Sequence, residues 1–430
     1  MDDVEASRRE LTITALAFGG DGVAREEKGP TAGRVVFVPG TVPGDRVAVE
    51  LVRERKDLAW ARRLEVLEPG PGRVEPACPL VGHCGGCSWG HVATDVQTDA
   101  RLKHVSRALD RLDGEWPAPV FAGSPSLGYR HRIRLQLVPT REGVLLGFHE
   151  AGSHRIVNIR ECPIASTGIN ESLPGLRGVL EGWETSLRGS VVVASNRTGT
   201  TAVSVRLSGG DGEGLAQALV DAGIGGAVVS WAEESEDAGE PVIQHQVGES
   251  EVPVHVANFS QANPVIADAI ASELVAALPP EAGEGRMLEL FAGSGTWTAQ
   301  LAKRVGHLTA IEGNDAAVDA LRAMAAERSW EHVEVEERDL GSALGLAEFD
   351  ASTNVVLLDP PREGARPLMA PIAAMDPDCV LYISCDVMTL ARDLRELISE
   401  RLVPRRVVVF DMFPNTSHTE VLVVLGRPAN

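Results

Sequence analysis

Asn354-Val355-Val356-Leu357-Leu358-Asp359-Pro360-Pro361-Arg362 opens the stretch that decides how this chain folds. A β-branched, apolar run stops at a carboxylate and two prolines, and the pattern recurs twice downstream. Cys379 to Ile383 runs into Ser384-Cys385-Asp386, and Arg405 to Phe410 runs into Asp411-Met412-Phe413-Pro414, which leads to His418-Thr419-Glu420. Short apolar runs ending in polar clusters read as strands of an open α/β sheet, where ligands gather outside the carboxyl ends. Asp359, Cys385 and Glu420 are therefore expected around one crevice. A thiol between two carboxylates suggests covalent catalysis by cysteine, assisted by a general base.

The glycine loop upstream suggests the cofactor. Met287 to Phe291 reads as a buried strand, followed by Ala292-Gly293-Ser294-Gly295-Thr296, a helix to about Arg304, and a second strand from His307 that ends at Glu312. Glycines let a backbone approach a ligand closely, and an acidic residue closing the second strand can grip ribose hydroxyls. A GxG alone is equally well a structural turn. The complete order strand–GxG–helix–strand–Glu favours a nucleoside cofactor. The loop lacks the full GxGxxG, so S-adenosylmethionine, with a ribose and no pyrophosphate, fits better than a dinucleotide.

These motifs resemble those of the bacterial RNA 5-methyluridine methyltransferases, in the branch with a TRAM domain and an iron–sulfur cluster. The resemblance spans nearly the whole chain. It implies that Cys385 is the nucleophile, that Glu420 removes the C5 proton, and that Asp359 and Glu312 contact the cofactor. Phe259-Ser260-Gln261 resembles the family's Phe-x-Gln, in which the aromatic ring and the amide hold cofactor and uracil. Phe291, Gly293, Gly295, Gln261 and Asp339, which follows the third strand where an acidic residue often meets adenine, complete the expected cofactor contacts. Phe259, Gln261, Arg132 and Arg362 are the expected substrate contacts. Two departures stand out: Asp386 follows the nucleophile where many relatives carry Asn, and Ser260 replaces a larger residue. A carboxylate beside Cys385 is expected to raise the thiol pKa.

The chemistry accounts for these residue types independently. Uracil C5 is a poor nucleophile towards a methyl sulfonium. A thiolate added at C6 makes C4–C5 an enolate that can attack, and a base must then remove the C5 proton so that the thiol leaves. The target base must leave its stack, by flipping or by lying in a single-stranded loop. Each residue also has a plainer reading. Cys is among the most buried residue types, and Cys379 reads as packing. Glu420 could simply open the strand Val421 to Leu425, and Asp359-Pro360-Pro361 could be a stiff turn. Asp359-Pro360-Pro361 also suits an amino-group methyltransferase with Cys385 idle, and a non-catalytic RNA-binding factor is a third class.

Four of the six cysteines form Cys78-x5-Cys84-x2-Cys87 with a distant Cys162. Thiolates hold iron–sulfur clusters in fours. Structural zinc also accepts four thiolates but usually uses paired C-x2-4-C knuckles, so the cluster ranks first. The resemblance implies [4Fe–4S] on these four positions.

At 430 residues the chain is expected to hold two to four domains. No apolar run reaches membrane-spanning length, and a cytoplasmic monomer is expected, with RNA as partner and no membrane. The net charge of −21 argues against generic polyanion binding, but it is unevenly placed. Residues 1–160 carry 22 Lys+Arg against 21 Asp+Glu; the remainder carries 18 against 40. The N-terminal part is thus the expected electrostatic footprint for RNA.

The expected architecture has three parts. Residues 1–70 read as an OB-like TRAM β-barrel, with strands near Leu11 to Ala15, Arg34 to Val38, Arg46 to Val52 and Ala59 to Leu67, and with Arg53, Arg55, Lys56, Arg62 and Arg63 available for phosphates. Residues 71–255 read as a β-rich iron–sulfur centre with a helix near His91–Leu112. There Tyr129 to Leu135 would present a cationic strand face, and Glu233 to Gly239 reads as an acidic mobile loop. Residues 256–430 read as an α/β class I (Rossmann-like) methyltransferase domain of seven strands. The expected substrate is 23S ribosomal RNA ahead of transfer RNA.

Overall fold

The computed structural model describes residues 8–27, 31–141, 143–341, 349–399 and 401–428. The chain divides into two compact units. One comprises the residues up to His104 with His149–Arg155 and Phe413–Ser417; the other comprises Val105–Phe148, Ile156–Met412 and the residues from His418 on.

The first unit is built on a six-stranded sheet in the order Arg8–Thr12, Arg46–Glu54, Leu58–Glu68, Val35–Val38, Gly22–Arg25, Ala15–Leu16. Alternating residues of these strands, among them Leu11, Val36, Val38, Val47, Val49 and Ala59, form its apolar core. Asp45 is buried at the base of the turn before Arg46. Burial alone would raise its pKa, but Arg73 and the N–H groups of Gly70 and Val42 hold it below the usual range. At the tip of the hairpin Arg46–Glu54/Leu58–Glu68, the rings of Phe37 and Trp60 stack at 5.9 Å, and the Arg53 guanidinium lies 4.9 Å from the Trp60 ring. Glu54, which sequence places as an acidic interruption among these arginines, is bound by Arg34 at 2.6 Å. The expected helix near His91–Leu112 runs over Thr94–Leu109.

In the second unit the catalytic-type sheet has eight strands, in the order Val333–Glu337, His307–Glu312, Arg286–Leu290, Val355–Leu358, Cys379–Ser384, Glu420–Gly426, Val403–Phe410, Val120–Ala122. The middle strands are buried along their whole length, which explains their unbroken apolar runs. Sequence leads one to expect seven strands. The eighth, Val120–Ala122, pairs in parallel with Val408–Phe410 and is too short to announce itself by alternation. Helices accompany these strands, and three of them start with a side-chain cap. Asn263 receives Ile266 N–H, Asn314 receives Ala317 N–H, and Asp386 receives the N–H groups of Met388 and Thr389.

A second sheet of seven strands runs Ile156–Asn158, Gly143–His149, Arg132–Thr140, Arg188–Ser195, Thr201–Gly209, Gly226–Trp231, Glu234–Gly239. Two expectations are corrected here. Glu234–Gly239 is a paired strand, held in antiparallel register to Gly226–Trp231, and not a loose loop. Its acidic side chains mislead because they sit on an edge; the Glu236 carboxylate accepts Gly214 and Ala216 N–H at the start of the helix Leu215–Asp221. The cationic face from Tyr129 to Leu135 is broken as well. The strand begins only at Arg132, whose guanidinium donates to the Val256 carbonyl at 3.0 Å, while Arg130 donates to the Arg132 carbonyl. Arg134 alone of the three is fully exposed. Burial, and then Arg134, push the Arg132 pKa down to about 10, so it stays charged at neutral pH. Among the described residues no helix is long and apolar enough to cross a membrane.

Candidate active site

Strand register brings Cys385 and Glu420, the expected nucleophile and base, together. Cys379–Ser384 pairs antiparallel with Glu420–Gly426 so that Ser384 faces Val421, which sets Cys385 and Glu420 opposite each other at the sheet's end. Leu358 pairs with Tyr382 in the parallel neighbour, so Asp359 leaves the sheet at the same end. The structure thus brings Asp359, Cys385 and Glu420 to one end of the sheet. Their charges act on one another.

Burial, and then the charge of Glu420, push the Cys385 thiol up to about 11; Arg362 opposes this and Asp359 adds to it. Burial first, then Asp359, raise the Glu420 pKa well above the ordinary carboxylate range, again against Arg362. Burial raises Asp359 to about 6, moderated by the Trp297 indole N–H, which donates to its Oδ2 at 2.8 Å. Asp386 is not among the groups that raise the thiol pKa. Its Oδ1 accepts the Met388 and Thr389 N–H groups at 2.9 Å, so it caps the helix Val387–Leu397 and points its charge at a helix N-terminus. The expectation of a thiol perturbed by its sequence neighbour is therefore corrected: burial and the cross-strand glutamate perturb it.

Beside this end of the sheet lies a cavity of about 510 Å³, lined by Phe291, Glu312, Asp339, Glu363, Ala365, Arg392 and their neighbours. Three of the expected cofactor contacts, Phe291, Glu312 and Asp339, thus sit in one wall. The Glu312 carboxylate ties two loops together, accepting Gly293 N–H at 2.8 Å and the N–H groups of Gly313 and Asn314 at 2.9 Å. Gly293 turns with φ 57°, and Phe291 takes φ 62°, a conformation costly for an aromatic residue and typical of functional loops. At Gly295 a Cβ would lie 2.4 Å from Leu321, so its absence lets the helix Asp315–Glu327 pack against the loop. Asp359 itself is buried beside this region.

Phe259 projects into solvent with 71% exposure, and Gln261 is half-buried. Their loop is fastened at its far end by fully buried Asn263, whose amide donates to Ser124 Oγ and to the carbonyls of Asp411 and Met412. The His131 N–H also grips the Ala262 carbonyl at 2.7 Å. Arg362 is exposed and meets His418 Nδ1 at 3.4 Å. Arg132 reaches the same loop through Val256.

Several site residues escape the sequence. Trp297 carries no local signal, because its partner lies far along the chain. Glu289 does carry one: a carboxylate inside the apolar run Met287 to Phe291. Burial lifts its pKa to about 8; Thr298 Oγ1 donates to Oε2 at 2.7 Å, and Oε1 is buried with no hydrogen-bond partner among the described residues. Asp393, fully buried, is a third.

All six cysteines are free of disulfides. Cys78, Cys84 and Cys87 lie in the first unit, where Gly86 N–H donates to Cys84 Sγ at 3.4 Å, and Cys162 lies in the second. Among the described residues no group of three or more His, Cys, Asp or Glu stands in a metal-holding arrangement.

The family model described as tRNA (Uracil-5-)-methyltransferase matches residues 254–428, and the TRAM domain model matches residues 5–59. The chain is 32% identical to the 23S rRNA (uracil(1939)-C(5))-methyltransferase RlmD of Alkalilimnicola ehrlichii, over 98% of this chain and 97% of that protein. It is 33% identical to the RlmD of Halomonas elongata, over 98% of this chain and 90% of that protein. In fold it matches the Pyrococcus abyssi tRNA (uracil-54, C5)-methyltransferase, solved in complex with S-adenosyl-L-homocysteine, with TM-score 0.76 at 23% identity, over 97% of this chain and all of that one. With relatives aligned along both full lengths and the thiol, carboxylates and glycine loop already assembled at one end of the sheet, the chain belongs to the RNA (uracil-5-)-methyltransferase family.

Proposed function

We propose that this chain methylates C5 of a uridine in 23S rRNA, with Cys385 as nucleophile and Glu420 as base. The observation that carries the reading is the placement of Cys385 and Glu420 opposite each other on adjacent strands, beside a cavity lined by Phe291, Glu312 and Asp339. S-adenosylmethionine supplies an electrophilic methyl group on a sulfonium. The Cys385 thiolate would add to uracil C6, placing an electron pair at C5; C5 would take the methyl group as its bond to the sulfonium sulfur breaks, with S-adenosylhomocysteine as the leaving group. Glu420 then removes the C5 proton, the C5–C6 double bond re-forms, and the thiolate is expelled. Gln261 and Arg362 supply donors for the uracil oxygens, where the enolate charge develops. Exposed Phe259 offers a face for stacking a base drawn out of its helix. Asp359 and Glu312 hold the cofactor, with Gly293 and Gly295 giving its approach.

Two features support RNA contact in the first unit. The Phe37–Trp60 stack carries Arg53 and Arg55 over the indole, and Glu54 is held by Arg34. Arg132 contributes its buried charge behind the Phe259 loop. We read residues 1–70 as the RNA-gripping part, 71–255 as the cluster-bearing centre and 256–430 as the catalytic domain of a cytoplasmic monomer. Cys78, Cys84, Cys87 and Cys162 form no disulfides and are half-buried, and an N–H bonded to Cys84 sulfur suits a thiolate ligand, so their chemistry fits a [4Fe–4S] cluster. Such a cluster would hold the fold of this region; brown colour and iron in anaerobically purified protein test it.

The catalytic reading is tested with 23S and transfer RNA transcripts containing uridine or 5-fluorouridine. Wild-type protein is expected to methylate the 23S transcript and to be trapped covalently on the fluorinated one. Cys385→Ala should lose both, and Glu420→Gln should accumulate adduct without turnover. Methylation surviving Cys385→Ala overturns the reading.

A further inference from the structure

Asp393 lies eight residues after Cys385, on the helix Val387–Leu397, and it is fully buried. Four donors converge on it. Its Oδ2 accepts Tyr382 O–H at 2.7 Å and Ala365 N–H at 2.7 Å; its Oδ1 accepts Arg392 Nε at 2.8 Å and pairs with Arg392 Nη2 at 2.7 Å. Arg392 Nη2 in turn donates to the Glu363 carbonyl at 2.7 Å. A buried carboxylate needs such a set to offset its desolvation. Here the set has a direction. Tyr382 belongs to the strand that delivers Cys385, Asp393 and Arg392 to the helix that follows it, and Glu363 and Ala365 to the loop just after Arg362.

That loop matters twice. Glu363, Gly364 and Ala365, with Arg392, form one wall of the 510 Å³ cavity. Arg362, at its start, is a cation whose charge opposes the raised pKa of both Cys385 and Glu420. Backbone geometry keeps the loop close: Gly364 has φ 75°, and a Cβ there would meet Asp393 Oδ2 at 2.5 Å. The packing leaves no slack for the loop to shift while the carboxylate stays bonded.

We propose that Asp393 is a positioning residue, a latch that fixes the loop Arg362–Ala365 to the nucleophile's strand and helix, and so sets both the Arg362 charge at the reacting pair and the wall of the cofactor cavity. The inference rests on the methyltransferase reading above. It adds a residue that touches neither substrate nor cofactor and acts through Arg362.

The test compares wild type, Asp393→Asn, Tyr382→Phe and a packing control, Leu390→Ala, on the same helix. Methylation of a uridine-containing 23S transcript is followed from pH 6 to 10, with KM for S-adenosylmethionine and Tm measured in parallel. Asp393→Asn cannot satisfy Ala365 N–H and the Arg392 fork together. It is expected to raise KM about tenfold and to move the rising limb of the pH–rate profile up by about one pH unit, since a displaced Arg362 no longer eases ionisation of the thiol. Tyr382→Phe should shift both in the same direction by less, and it carries the test if Asp393→Asn does not fold. Leu390→Ala should lower Tm and leave both unchanged. Asp393→Asn or Tyr382→Phe with lowered Tm but wild-type KM and pH profile overturns the latch and leaves Asp393 a structural residue. A wild-type protein that does not methylate overturns the functional reading instead, so the two failures are distinct.

Discussion

Replacing Trp297 by Phe isolates one hydrogen bond to a buried carboxylate. The indole N–H donates to Asp359 Oδ2 at 2.8 Å, Trp297 is 3% exposed, and the substitution keeps most of its apolar volume. Burial has already raised Asp359 to about 6, and the indole is the group that restrains it. A hydrogen bond to a charged group contributes roughly 1.5–3 kcal/mol, and about 1.4 kcal/mol corresponds to one pKa unit, so losing it should raise the Asp359 pKa by about 1–2 units. Because the bond favours the ionised form, the sign is upward. At pH 7 the wild-type carboxyl is largely ionised; after a shift of about 1.5 units only about a quarter of the molecules carry the charge. If ionised Asp359 holds the cofactor, affinity for S-adenosylmethionine at pH 7 should fall about fourfold, and the deficit should vanish near pH 9. Isothermal titration at the two pH values reads this directly. A loss of equal size at pH 7 and pH 9 would refute the reasoning, since it would mean lost packing and not a displaced ionisation.

Three further outcomes follow from particular side chains. Glu289, raised by burial to about 8, is protonated when folded at neutral pH and ionised when unfolded, so wild-type stability is fullest below about pH 4.5 and is lost as pH rises towards 8; Glu289→Gln should remove that slope and raise Tm at pH 8, and an unchanged slope would contradict it. Asp386→Asn, another good helix cap, should leave both Tm and the methylation pH profile near wild type, whereas Asp386→Ala should cost about 1 kcal/mol in denaturant unfolding with the same profile; a profile shifted in either variant would show that this carboxylate does govern Cys385. Trp60→Ala should weaken RNA binding by about 1–3 kcal/mol in filter binding while sparing the intrinsic affinity for S-adenosylmethionine; RNA affinity equal to wild type would remove the hairpin tip from the interface.

The parts of this molecule legible in sequence are those whose cause is local. Val355–Leu358 and Cys379–Ser384 read as strands because strands buried on both faces are predominantly apolar. The cap at Asp386 and the turn at Gly293 follow from their own residue types. The strand Glu234–Gly239 was hidden because an edge strand is stabilised by its backbone, whatever its exposed side chains are. Arg132 looked like surface because sequence does not show that Val256 would offer it a carbonyl. Trp297 and Asp393 were invisible for a related reason: each acts on a partner brought near only by the finished sheet. The raised thiol pKa was expected in direction and assigned to the wrong carboxylate, since Asp386 is adjacent along the chain and Glu420 is adjacent in register.

That register has a mechanistic consequence. Glu420 is buried and Cys385 half-buried, and the glutamate's negative charge makes the thiolate harder to form. The pair therefore resists holding two anions at once. The proposed reaction never needs both at full charge on free groups. While the thiolate attacks C6, a protonated Glu420 costs it nothing; once sulfur is bonded to carbon its charge is gone, and Glu420 can ionise to take the C5 proton. When the proton is removed Glu420 is neutral again, just as the thiolate is released. The alternation places the demand for positive charge on Arg362, the cation that eases each ionisation in turn. Removing it should therefore slow both the formation and the release of the covalent adduct. Arg362→Gln followed by rapid quench on 5-fluorouridine RNA for attack, and on uridine RNA for turnover, should show both steps slowed and both limbs displaced upward in pH. A variant slowed in only one of them would mean that the two groups are not electrostatically opposed.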